Sequence, residues 1–302
     1  MQHHPFAADP AWGEYPSDLW ADAAVAAMKL GGVDYLFFVS GSELSFYQEA
    51  IAKAGERGWP APRLITMVHE GVALNAAMGA AMVSGRPTAT AAHVDVGTLN
   101  YGAGIHTAWR GGAPVLITAG AGPRAYPGSM PGSRESGVQW GQEPRDQGEI
   151  VRQYTKLGHR MEHQDNPGLM VSRLLQVAMS EPRGPAYLTF PQETALLPVP
   201  GAVARFPTRD QLGLARPAWP DPSDARQAAR FFNIHKVPYA MRLTIYLPFF
   251  RNVHNSKIDI AHPLFAFAVT LIAASLLFAL PDTPAMLLGS WHEKHLRGKA
   301  PY

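Results

Sequence analysis

The 302-residue sequence contains no cysteine. Disulfides, Cys-ligated zinc, iron–sulfur clusters and a cysteine nucleophile are therefore excluded, and a reducing compartment, the cytoplasm, is the expected location. Charge is sparse as well. Only 17% of residues are charged and the formal net charge is +2, with no basic footprint for nucleic acid in the body of the chain. No phosphate-cradling G-x-x-x-x-G-K-[ST] loop and no G-x-S-x-G nucleophile elbow occurs. His69-Glu70 opens like a zinc-protease helix, but position 73 is Ala where the second His of H-E-x-x-H would stand. Gly102-Ala103-Gly104 lacks the third glycine of a dinucleotide fingerprint and falls inside a helical stretch. No metal site is expected. The N-terminal stretch 1–15 carries Asp9 and Glu14 and lacks the apolar core of a signal peptide.

What is present is apolar surface and turns. Hydrophobic residues make up 47% of the chain, enough to bury a sizeable core, and Gly (28) and Pro (27) are both abundant. From 16 to 190 the chain alternates helical and strand signals. Helices are expected over 19–30, 44–54, 69–82, 100–110, 146–153 and 167–179. Strands are expected over 35–39, 64–67, 88–92, 115–119 and 186–190, with a long Gly/Pro/Ser-rich loop over 120–142. Strands separated by crossover helices predict an α/β fold, a parallel sheet with helices on both faces. Ligands in such folds bind beyond the carboxyl ends of the strands. That directs attention to the loops at 40–43, 68–70, 93–100 and 120–142.

Beyond 190 the texture changes. Residues 196–230 are Pro-rich and read as a linker leading into the start of a further domain. Residues 231–302 hold 7 of the 26 Lys and Arg but only 3 of the 24 acidic residues, so the basic surplus belongs to this irregular or helical C-terminal tail. Within it, 264–280 runs without a charge between Pro263 and Pro281. At ~1.5 Å per residue a helix there spans roughly 26 Å, the lower edge of a membrane-crossing length. A membrane helix, flanked by Trp291, Lys294, Arg297 and Lys299, and a merely apolar segment both remain open.

Glu70 follows an expected strand and opens an Ala-rich helix, where a carboxylate suits the positive end of the helix dipole. The segment Met67-Val68-His69-Glu70-Gly71-Val72-Ala73-Leu74-Asn75-Ala76-Ala77-Met78-Gly79-Ala80-Ala81 resembles the pyrimidine-binding domain of thiamine-diphosphate-dependent enzymes, most of all the acetolactate synthase and benzoylformate decarboxylase group. Gly85-Arg86-Pro87, Gly97-Thr98-Leu99-Asn100, Arg110-Gly111-Gly112-Ala113-Pro114, Gln142-Glu143 and Gly184-Pro185-Ala186 keep the family's order. The resemblance is strong over 20–190 and weak to about 230, and gives a pyrimidine-binding domain over 15–195. Asp95-Val96-Gly97 departs from it, where the family often has Gly-Pro-Gly.

The resemblance implies thiamine diphosphate as cofactor, a 2-oxo acid substrate and decarboxylase or carboligase chemistry. It implies that Glu70 is the catalytic acid that hydrogen-bonds the cofactor's pyrimidine nitrogen and shares a proton with it. Ser40, Gly41 and Ser42 are either a plain strand-to-helix turn or cofactor contacts. His93 is either a satisfied polar residue or a site residue, and Asn100 either caps the helix it opens, lines the site, or does both. Gln142 and Trp140 are candidates for the substrate entrance. The family's G-D-G…N segment, which holds Mg²⁺ and the diphosphate, does not occur in these 302 residues. The expectation is therefore a protein inactive alone, working as a homo-oligomer or with a separate diphosphate-binding chain. The alternatives are a non-catalytic remnant and a membrane-tethered binding module.

Overall fold

The computed structural model describes residues 11–215; the tail 231–302, with its apolar stretch 264–280, lies outside the described residues. In chain order the elements are β1 (Gly13–Pro16), α1 (Trp20–Leu30), β2 (Tyr35–Phe38), α2 (Ser45–Arg57), β3 (Arg63–Thr66), α3 (Glu70–Ser84) and β4 (Thr88–Ala92). Then come α4 (Val94–Asn100), α5 (Gly102–Arg110), β5 (Val115–Ala119), α6 (Val138–Gly141), β6 (Gly158–Arg160) and α7 (Pro167–Met179). β7 (Ala186–Thr189), α8 (Gln192–Ala195), β8 (Val203–Phe206) and α9 (Arg209–Leu212) complete the series.

Six strands form one parallel sheet in the order β3-β2-β4-β5-β7-β6. Successive strand residues face opposite sides, so a sheet covered on both faces needs apolar residues at every position. β4, β5 and β7 are buried throughout; their apolar residues meet this requirement, and the buried hydroxyls of Thr88, Thr90 and Thr118 are hydrogen-bonded to Ala77, Tyr101 and the Thr90 carbonyl. Leu36, Phe38, Ala89, Ala91, Leu116 and Leu188 pack on one side with α1, α2 and α7. Val115, Ile117, Ala119 and Tyr187 pack on the other with α3 and α5. Each fully buried Leu, Ile or Phe contributes ~1.5–3 kcal/mol relative to exposure, so this double layer is the main source of stability. Alanine lines the helices where they meet each other and the sheet. Ala23, Ala24 and Ala27 of α1 are fully buried.

Four expectations differ from the structure. The helix expected over 100–110 is α5, and a further helix, α4, which was not expected, precedes it. That helix takes up most of the 93–100 stretch expected as a loop, Asp95-Val96-Gly97 included. The Gly97 N–H bonds the His93 carbonyl at 2.9 Å, and buried Gly97 and Thr98 seat against the sheet. The helix expected near 146–153 is a pair of 3-10 turns, Gly148–Ile150 and Arg152–Tyr154. β6 was not expected: Gly158-His159-Arg160 is an edge strand with no apolar signal. Last, β8 lies in the segment read as linker, yet it pairs antiparallel with β1 and carries the fully buried Phe206.

The topology positions a crevice. From β2 the chain reaches β3 through α2 on one face, then returns through α3 on the other face to β4, on the opposite side of β2. Such a switch in strand order opens a gap beyond the carboxyl ends of the two strands, here the segments after Phe38 and Ala92.

Among the described residues no helix is long and apolar enough to cross a membrane. α3 is nevertheless apolar on its outer side: Val72, Met82 and Val83 are exposed, as are Val96 and Leu99 of α4.

Candidate functional site

Glu70 opens α3 and is 8% exposed. His69 caps the helix, its Nδ1 accepting from the Gly71 N–H at 3.0 Å, which sets the first turn directly after β3. The Glu70 carboxylate thus sits where unpaired helix N–H groups favour negative charge. Its Oε2 accepts from Asn100 Nδ2 at 3.0 Å. Its Oε1 accepts no hydrogen bond among the described residues and is not sealed from solvent. Gly97 lies against that free oxygen. A Cβ at position 97 would stand 3.2 Å from Oε1 and 2.9 Å from the Ala92 Cβ. Asn100 does not cap α5: it ends α4, and Tyr101 occupies the cap position without a side-chain bond. Of the readings open for Asn100, capping is thus corrected, because Asn100 lies one residue before the cap position, inside the last turn of α4.

A second group forms where the chain leaves β2 and β4. Ser40 is exposed and makes no side-chain hydrogen bond among the described residues. Gly41 is required sterically: a Cβ there would come within 2.2 Å of the His93 ring. Ser42 donates from Oγ to Glu43 Oε2 at 2.6 Å and lies 3.4 Å from His93 Nε2. His93 Nε2 itself meets Glu43 Oε2 in a short hydrogen-bond contact. Glu43 is buried, and its Oε1 accepts from Gln139 Nε2 at 3.3 Å. The His93 contact, opposed by burial and aided by Ser42 and Gln139, holds the Glu43 carboxyl down at about 2. Val94, buried directly after His93, has φ of 40°. That is a strained value for a β-branched residue, and it stands at the junction between His93 and α4. α4 joins the two groups, since it begins beside His93 and ends at Asn100.

Glu43 and Gln139 were not singled out from the sequence. No local signal marks either one; their role appears only when β2, β4 and the 120–142 loop meet. Gly120, after β5, is part of that meeting, because a Cβ there would lie 2.8 Å from the Glu43 carbonyl oxygen. The loop is pinned rather than loose. Gln139 Oε1 accepts from the N–H groups of Glu135 (2.7 Å) and Ser136 (3.2 Å). Arg134 bonds Glu143 at 2.8 Å and lies 3.4 Å from the Trp140 ring centre, and its guanidinium holds the Glu143 carboxyl below its ordinary range. Trp140 therefore covers Arg134 and is otherwise exposed. Gln142 is half-buried with its Oε1 lacking a partner. Among the described residues no three metal-ligating side chains gather.

Residues 20–150 match the family described as thiamine pyrophosphate enzyme, N-terminal TPP binding domain. Over those residues the chain resembles a thiamine pyrophosphate enzyme N-terminal domain. Relatives of this domain include benzoylformate decarboxylase of Pseudomonas aeruginosa, 30% identical over 156 residues, which are 52% of this chain and 28% of the relative. A probable acetolactate synthase of Mycobacterium bovis is 26% identical over 188 residues, 60% of this chain and 31% of the relative. The chain thus spans about a third of the length of these relatives. Among solved structures, benzoylformate decarboxylase from Polynucleobacter necessarius superposes with a TM-score of 0.53 at 18% identity, over 71% of this chain and 36% of that one. The thiamine diphosphate-dependent 4-hydroxybenzoylformate decarboxylase of Rhodococcus jostii gives 0.52 at 18% identity, over 69% of this chain and 36% of that one. At that identity the likeness speaks for the fold of the thiamine-enzyme domain alone.

Proposed function

We propose that the domain binds the aminopyrimidine end of thiamine diphosphate and that Glu70 is the acid that holds it. The observation that carries this reading is the asymmetry of the Glu70 carboxylate: Oε2 is tied by Asn100, while Oε1 is open and faces a position without a side chain, Gly97. A carboxyl oxygen held in place, with free lone pairs and backbone-close clearance beside it, fits a flat ring nitrogen that must share a proton. When bound, thiamine diphosphate supplies an electron sink for making or breaking a bond next to a carbonyl. The chain's part is to orient the ring, hold a proton at Glu70 Oε1 and line the crevice. Ser40, Gly41, Ser42 and His93 line it at the ends of β2 and β4, and Gln142, with its unpartnered Oε1, supports a role on the substrate side.

The substrate of this reading is a small 2-oxo acid, and the chemistry is decarboxylation or carboligation of the kind its relatives are named for. The 302 residues carry no G-D-G segment for Mg²⁺ and diphosphate, so in this reading the diphosphate half of the site lies outside them. The exposed apolar side of α3 and α4, with Val72, Met82, Val83, Val96 and Leu99, supports coverage by that half or by a second copy, because a helix apolar all round is ordinarily buried.

Saturation-transfer NMR tests the reading. Pyrimidine protons of thiamine diphosphate should receive magnetisation from the wild-type chain and several-fold less from Glu70→Gln, with unchanged folding. No transfer to wild type, or equal transfer to both, would refute the assignment. The chain alone should decarboxylate neither pyruvate nor benzoylformate. Turnover that Glu70→Gln abolishes would show instead that the site is complete.

A further inference from the structure

We propose that Glu43 is a positioning residue that fixes the His93 ring with its proton on Nε2, leaving Nδ1 unprotonated in the neutral ring and without a partner among the described residues. The proposal rests on the reading that His93 lines the thiamine site, and it goes beyond that reading by naming what sets the ring's state.

The argument is one of donors and acceptors. An ionised carboxylate only accepts hydrogen bonds. Glu43 remains ionised down to about 2, and its two oxygens are met by Ser42 Oγ, His93 Nε2 and Gln139 Nε2. Ser42 donates its one proton to Glu43, so its oxygen is left as an acceptor toward His93 at 3.4 Å. Both groups that face Nε2 are therefore acceptors, and Nε2 must be the donor. In the neutral imidazole one nitrogen carries the proton and the other does not. Nδ1, which has no hydrogen-bond partner among the described residues, is then a lone pair able to accept a proton or a donor group.

The surroundings make this a fixed arrangement. Gly41 leaves no room for the ring to turn toward β2, because even a methyl group there would overlap it. Glu43 is held in turn by Gln139, whose other end closes the turn at 135–136, and by Gly120, whose bare Cα lets the Glu43 backbone approach. Four segments, at the ends of β2, β4 and β5 and in the long loop, thus converge on one buried acid. Nothing else among the described contacts of Glu43 requires a charge there.

The full chain, 15N-labelled at histidine and free of cofactor, gives the test at pH 8. The ring signals of His93 are assigned by their loss in His93→Gln. In wild type, Nε2 should resonate in the protonated range and Nδ1 in the unprotonated range. In Glu43→Ala the two signals should converge, as a free ring exchanges its tautomers, and Glu43→Gln, which retains an acceptor oxygen, should restore much of the separation. A wild-type ring protonated on Nδ1, or an alanine variant with the wild-type spectrum, would overturn the proposal. If the alanine variant does not fold, the wild-type tautomer alone decides. Because no cofactor is present, failure here is separable from failure of the thiamine site, which the magnetisation transfer to pyrimidine protons reports independently.

Discussion

Asn100 closes α4 and donates from Nδ2 to Oε2 of Glu70, the residue that opens α3, at 3.0 Å. One helix end thereby fixes the rotamer of an acid at another helix start, and the second acid oxygen stays open. Asn100 is itself exposed, so its removal should scarcely touch the fold. A hydrogen bond to a charged group contributes ~1.5–3 kcal/mol, and exposure puts this one at the low end. Asn100→Ala is expected to weaken thiamine diphosphate binding by roughly 10-fold with a thermal midpoint within a few degrees of wild type. Asn100→Asp should be worse than alanine, since a like charge at this distance disfavours the Glu70 carboxylate. Titration calorimetry with the three proteins orders them; an Asp variant that binds as wild type would contradict this geometry.

Gly97 sits in a helix where alanine would ordinarily gain about 1 kcal/mol. Here the added carbon would press on Ala92 at 2.9 Å and Glu70 Oε1 at 3.2 Å, and overpacking costs ~1–3 kcal/mol. Gly97→Ala should therefore lower stability by about 1 kcal/mol in urea unfolding and displace the open oxygen, with pyrimidine binding reduced more than stability. A stabilised variant with intact binding would remove Gly97 from the site.

Glu43 makes stability pH-dependent in a definite direction. Its carboxyl is ionised to about 2 in the folded chain against 4.5 ordinarily, so the unfolded chain binds more protons between those values. The contribution is complete above about 4.5 and is lost as pH falls toward about 2. Since His93 is partly exposed, the effect is on the order of 1–2 kcal/mol rather than the full linkage value. Urea midpoints of wild type and Glu43→Gln should differ at pH 7 and converge toward pH 2.5. A constant gap across that range would assign the difference to packing.

Phe206 makes a boundary prediction. It is fully buried, stacks on Tyr15 with ring centres 4.4 Å apart, and lies so close to Gly168 that a Cβ there would stand 2.2 Å from its ring. A domain ended at residue 200 would lose β8 and this ring, while one ended at 216 would keep both. The longer fragment should unfold cooperatively and exceed the shorter by ~3–5 kcal/mol, the usual cost of deleting a core phenylalanine. Equal stability of the two would place β8 outside the domain's core.

Much of this was legible in the linear chain, and the exceptions have physical causes. The runs 35–39, 88–92 and 115–119 announce buried strands because a parallel sheet covered on both faces favours short uncharged runs of apolar and β-branched residues, the threonines among them being hydrogen-bonded. Glu70 is legible because it follows such a run and starts an Ala-rich helix. β6 is not, because an edge strand is covered less completely than a central one and carries the half-buried polar His159 and Arg160 instead of an apolar run. The α4 helix is not, because the local penalty of Gly97 is overridden by a close approach that only the folded chain reveals. Glu43 and Gln139 are 96 positions apart, and neither carries a motif.

The sequence by itself determined the fold class, since hydrophobic period and strand–helix order are local and additive signals, and its motifs in order pointed to the family of the domain and to Glu70 as the candidate acid. Tertiary structure alone decided which oxygen of Glu70 is free, that Asn100 holds the other, and that Glu43 rather than a neighbour holds His93. Those are relations between chain segments brought together at strand ends, and their energies depend on burial and on which donor meets which acceptor, quantities that do not exist until the sheet has formed.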